Sequence, residues 1–126
     1  MGASSSKKDI ISFAQKYIDF FENKFGSEKS KFDFFGEVEF AEDCDALGFE
    51  MDCGESFRAV DDEASRDFEL FKSRIDKYTD IKVIGSGLYS NWRYYNHWDS
   101  PSHANNATKE WFLILLRRLI FLCNQD

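Results

Sequence analysis

Trp92, Arg93, Tyr94, Tyr95, Asn96, His97 and Trp98 form the densest run of recognition-type side chains in the chain. Flat rings beside a guanidinium, an amide and an imidazole suit a stacked base, a nucleotide or the hot spot of a protein interface. A ligand pocket built here would use Trp92, Arg93, Tyr95 and His97. The competing reading is an aromatic core strand with Arg93 and His97 on its wet face, which is the commoner use of such a pattern.

Other chemistry-bearing residues are more scattered. Cys44, Cys53, His97, His103 and nearby carboxylates are zinc-ligand types, but the cysteines lie nine apart and the histidines six apart, which matches no common ligand knuckle. No metal and no cofactor is expected. Cys53 follows Glu50 and Asp52, whose charges oppose thiolate formation, so it reads as a structural cysteine rather than a nucleophile served by His97. Glu50 and Asp52 share one side of an extended segment and would serve acid and base chemistry only if one carboxyl were held protonated. Gly85-Ser86-Gly87 lacks the lysine and the spacing of a phosphate-binding loop and reads as a turn. No catalytic residue is assigned; a hydrolase or metal enzyme remains the third reading, behind two binding functions.

Two short stretches carry a resemblance. Gly48-Phe49-Glu50-Met51-Asp52-Cys53-Gly54, and Trp92-Arg93-Tyr94 with His97-Trp98, followed by an apolar C-terminal helix containing Trp and Phe, resemble a family of small bacterial proteins. The likeness runs in order through roughly the C-terminal two thirds and is tight only in those two motifs. It implies no substrate and no catalytic residue.

These side chains must be positioned by elements that hydrophobic spacing predicts. Ile10, Ala14, Tyr17, Phe21 and Phe25 recur at steps of four and three and define a first helix, with Ser6 as its cap and Gly26 at its end. After a loop over Lys29–Lys31, alternation from Phe32 to Phe40 predicts a half-buried strand. Phe40, Cys44 and Leu47, stopped by Gly48, predict a helix of about two turns. Phe49, Met51 and Cys53 predict a short strand. Ala64, Phe68, Phe71, Ile75 and Tyr78 predict a second long helix behind Asp61 and Asp62. Ile81–Ile84 reads as a buried strand and Leu88–Trp98 as another, although Leu88, Trp92 and Tyr95 also fit a helical face. Asp99–Thr108 is a polar loop. The last helix, about Thr108 to Cys123, is apolar on nearly every side, so it is either central to the core or half of a homodimer interface.

The expected architecture is therefore α+β, with three main helices packed on a small sheet and a mostly helical bundle as the alternative. A length of 126 residues and 14 Phe suit one globular domain, with residues 1–5 expected to be disordered. No apolar run is long enough to span a membrane, and the first residues lack a secretion signal. An odd set of three cysteines reads as reduced thiols, so the expected location is the cytoplasm.

Charge supplies the leading functional expectation. The net charge is −7, but Asp33 to Asp67 holds thirteen carboxylates against Arg58 and Arg66, a local charge of −11 that leaves +4 on the remainder. Such a field disfavours direct nucleic-acid binding and favours a basic protein surface. The expected function is a non-enzymatic acidic binding protein, of inhibitor or immunity type, meeting its partner through Asp43, Glu50, Asp52 and Glu55. The alternative is a small-ligand or nucleotide-binding domain that uses the Trp92–Trp98 cluster.

Overall fold

A computed structural model describes residues 7–49, 62–65 and 67–125. Among them there is no strand, so the expected sheet and the α+β class are overturned; the architecture is helical, as in the bundle alternative. The elements are α1 (Lys7–Asn23), α2 (Glu28–Phe35), α3 (Glu39–Ala46), α4 (Asp62–Ser65), α5 (Phe68–Arg74), α6 (Ile81–Arg93) and α7 (Asn106–Cys123). A 3-10 turn, Ile75–Lys77, extends α5, and a π-helical segment, Tyr94–Trp98, extends α6. A second 3-10 turn, Pro101–His103, precedes α7.

Helix α7 is the centre. Phe112, Leu113, Leu115, Leu116, Leu119 and Leu122 are buried along it, and α1 and α6 are the helices that cover it most extensively. An apolar helix of this kind is stable in water only when neighbours cover it on several sides, and here the same chain provides them. Helix α1 brings the face read from its spacing: Ile10, Ala14, Tyr17 and Phe21 are buried, and the Phe21 ring stacks on Phe112 at 4.9 Å. Phe25 follows the helix, half-buried, and Gly26 takes a φ of +144° that side-chain-bearing residues rarely adopt.

Each mistaken strand has a physical cause. The segment Phe32–Phe40 alternates on paper, but Phe34 and Phe35 are both buried while Phe32 and Val38 are exposed, so adjacent rather than alternate residues face inward. That is helical geometry. Ser27 caps α2 by accepting from the Ser30 N–H, which draws the expected Lys29–Lys31 loop into the helix. The Ile81–Ile84 strand and the Gly85-Ser86-Gly87 turn are instead the first turns of α6, capped by Asp80. Leu88–Trp98, expected as a strand, continues that helix with Leu88 and Trp92 buried on one face. The second long helix is broken at Asp67, whose extended backbone and side-chain bond to the Leu70 N–H start α5 afresh. The strand expected at Phe49–Cys53 lies, apart from Phe49, outside the described residues.

The short helix before Gly48 closes as its sequence predicts. The Phe49 N–H donates to the Cys44 carbonyl at 3.0 Å and the Gly48 N–H to that of Asp45 at 3.1 Å, with Gly48 at φ +79°. These two bonds are a Schellman motif. The motif aims Phe49 into the core, where its ring lies against Gly85 of α6 and meets Phe13 edge-on at 5.9 Å.

A β-carbon at residue 85 would lie 2.3 Å from the Phe49 ring, so the Gly in mid-helix exists for this contact. Gly85→Ala is therefore expected to destabilise the protein by about 1–3 kcal/mol in urea melts, despite the better helix propensity of Ala. In a Phe49→Ala background the same change should stabilise by up to about 1 kcal/mol. Equal effects in both backgrounds would remove the contact as the cause.

Candidate functional site

The aromatic cluster lies where α6 passes the C-terminal end of α2. The last carbonyls of a helix lack intrahelical donors, and Phe34 and Phe35 at the end of α2 are buried, so their carbonyls need partners from elsewhere. Trp92 provides one: its indole N–H donates to the Phe34 carbonyl at 2.8 Å. One turn on, the Asn96 amide donates to the Phe35 carbonyl at 2.6 Å. The Tyr95 ring rests against Phe35 at 5.0 Å, and its hydroxyl pairs with Thr108 Oγ1 at 2.9 Å. Thr108 closes the capping box of α7 with Asn105, so the cluster ties the end of α2 to the beginning of α7.

Of the four candidate ligand-binding residues, Trp92 is buried, Tyr95 and Arg93 are half-buried, and His97 is exposed. Trp92 and Tyr95 have their polar atoms engaged in the fold. Tyr94, also outside the candidate set, is exposed and lies close to Asp99, which pairs with His103 Nδ1 at 2.5 Å. The His103 hydrogen bond is the main cause holding the Asp99 carboxyl below its ordinary value. Among the described residues no three His, Cys, Asp or Glu side chains converge as metal ligands would. Cys44 is buried, and desolvation, with Asp45 and Asp43 beside it, pushes its thiol strongly up; this disfavours the thiolate. Cys53 lies outside the described residues. The thiol of Cys123 is also raised by burial.

Of the four acidic candidates, Asp43 alone is described; Glu50, Asp52 and Glu55 fall outside the described residues. Asp43 is half-buried on α3 and turned inward toward α1. It accepts from Tyr17 Oη at 2.5 Å and from Lys16 Nζ at 2.9 Å, while Lys16 also meets Glu39 at 2.5 Å. Burial and the Asp43 carboxylate hold the Tyr17 phenol far above its usual range. Burial alone would lower the Lys16 ammonium, but the bonds to Glu39 and Asp43 outweigh it and the net direction is upward. Glu37 and Glu42, by contrast, are exposed and make no ion pair among the described residues.

Sequence reasoning missed Arg118. It is a buried latch: Nε donates to the Tyr78 carbonyl at 3.0 Å and Nη2 to that of Asp76 at 3.1 Å, with the guanidinium over the Phe121 ring at 4.7 Å. A buried charge is tolerated only with such partners, and the available signal was the second Arg of an Arg117-Arg118 pair set within an apolar helix, one helical turn from Phe121. Comparison of the chain with protein-family models, with curated proteins and with solved structures finds no match.

If the cluster is a clasp, its members differ in cost. Trp92→Phe keeps a ring but leaves a buried carbonyl unpaired and should cost about 1–3 kcal/mol. Arg93→Ala should stay within about 0.5 kcal/mol, because Arg93 bonds to no helix end. Denaturant melts of both variants decide between a clasp and a set of free recognition side chains. For Asp99 the sign follows from its depressed pKa: its contribution is present above the unfolded carboxyl pKa and fades as pH falls through the folded one. A carbon-13 titration should accordingly find the Asp99 midpoint shifted upward in His103→Ala.

Proposed function

We propose that the protein is a non-enzymatic acidic binding protein, of inhibitor or immunity type, that engages a basic protein surface from the cytoplasm. The observation that carries this reading is the corner between α2 and α3. Within a few residues it displays Phe32 at 45% and Val38 at 61% exposure amid the carboxylates of Asp33, Glu37, Glu39 and Glu42. Asp33 and Glu39 are paired with Lys29 and Lys16, so Glu37 and Glu42 supply the unpaired charge beside these apolar side chains, and exposed apolar groups next to charge of one sign are how a protein interface combines affinity with a selected partner. The buried free thiols of Cys44 and Cys123 are compatible with a reducing compartment.

Because Asp43 braces α1 against α3, the surface is assigned among the described residues to Glu37 and Glu42; Glu50, Asp52 and Glu55 are candidates from the sequence alone. The ligand-binding alternative loses support, since Trp92 and Tyr95 are committed to the fold. Affinity capture from the native host, with the partner identified by mass spectrometry, provides the test. Glu37→Gln with Glu42→Gln should weaken capture several-fold and leave the melting curve unchanged, because exposed carboxylates contribute little to folding. Raising salt should weaken capture further, the Debye length at physiological ionic strength being only about 8 Å. Capture that survives both changes but is lost on Arg93→Ala would contradict the proposal.

A further inference from the structure

An open groove of about 220 Å³ runs between α1 and the α2–α3 corner. Its floor is aromatic, built from Tyr17, Phe20, Phe34 and Phe40. Phe20 and Phe34 stack at 5.1 Å with 18° between their planes, and Phe20 is only half-buried, so ring surface remains available to a ligand. Lys16, Lys24, Asp33 and Glu39 complete the lining.

The balance of these charges selects the ligand. Lys16 is matched by Glu39 and Asp43, and Asp33 by Lys29 at 3.0 Å. Each of these carboxylates thus already has a lysine, whereas among the described residues Lys24, one turn beyond Phe20, makes no ion pair or side-chain hydrogen bond and stands as a cation without a carboxylate beside an apolar floor. A cationic ligand would be repelled by Lys24, a dianion would meet Asp33 and Glu39, and a neutral ring would leave the ammonium without a partner. The volume lies below the roughly 300–1,000 Å³ of pockets for drug-sized molecules, so the occupant is small.

We propose that this groove binds a small monocarboxylate with a flat apolar body, the carboxylate at Lys24 and the body against Phe20. The ligand is distinct from the basic protein partner; Asp33 and Glu39 border both surfaces, but the groove is tested at Lys24 and the partner surface at Glu37 and Glu42, so the two readings fail separately.

The test is an amide NMR titration of the whole chain with 3-phenylpropionate, with 3-phenylpropanol and 3-phenylpropylamine as the neutral and cationic counterparts. Saturable shifts at Phe20, Lys24 and Phe34 are expected with a dissociation constant of about a millimolar, as suits so small a ligand. The neutral and cationic probes should bind at least about tenfold more weakly. Lys24→Ala should remove that preference and Lys24→Arg retain it, with melting curves unchanged, since Lys24 is exposed. A peptide ending in Phe presents the same chemistry, so acetyl-Gly-Phe and its amide distinguish a free small acid from a chain terminus. The acid of that peptide binding more tightly than 3-phenylpropionate, with the amide inactive, would support the site and assign it to a terminus. Absence of shifts, equal binding of all three phenylpropyl probes, or an unaffected Lys24→Ala variant would overturn the proposal.

Discussion

Helix α2 ends on two buried residues, Phe34 and Phe35, and the Phe34 carbonyl takes its hydrogen bond inside the molecule. The hydrogen bond from the Trp92 indole to the Phe34 carbonyl therefore joins two requirements at one residue. The Phe34 side chain sits among the rings of Tyr17, Phe21, Phe40 and Phe112, linking α1, α3 and α7. Its backbone carbonyl takes its donor from α6. Satisfying that carbonyl fixes α6 against α2, and Asn96 and Tyr95 then follow one turn along, binding the Phe35 carbonyl and the start of α7. An unpaired carbonyl here would cost about as much as a deleted methyl group or two, a large share of a small domain's stability.

The same constraint explains which parts of the fold were legible in sequence. Local signals with complete stereochemistry survived: the spacing from Ile10 to Phe21, and the Gly48 stop that becomes a Schellman motif with Cys44 and Phe49. Signals shared by two geometries did not. Phe32 to Phe40 and Leu88 to Trp98 are rich in aromatic residues that favour strands in isolation, but propensity yields to tertiary packing. Gly85 looks like punctuation in sequence because its role is defined by a distant partner, the Phe49 ring, which no local window contains.

Functional residues followed a similar division. The sequence groups Trp92 to Trp98 as a recognition cluster, yet residue types that suit recognition also suit the closing of a helix end, as Trp92 and Asn96 do at the end of α2. Asp43 was grouped with the exposed acidic residues, whereas its neighbours across the interface, Lys16 and Tyr17, turn it inward. The acidic character of the segment remains visible at Glu37 and Glu42, and the groove at Lys24 emerges only when α1 packs against the α2–α3 corner that follows it in the chain.

The central claim is that the Trp92 indole is a fixed element of the fold rather than a ligand-facing group. Hydrogen exchange at its Nε1–H, followed by NMR in the intact protein, addresses this directly. A buried donor to a helix end should exchange only through global unfolding, with the same opening free energy as the slowest core amides of α7. Exchange near the rate of a free indole under native conditions would contradict the account and return Trp92 to the surface as a recognition residue.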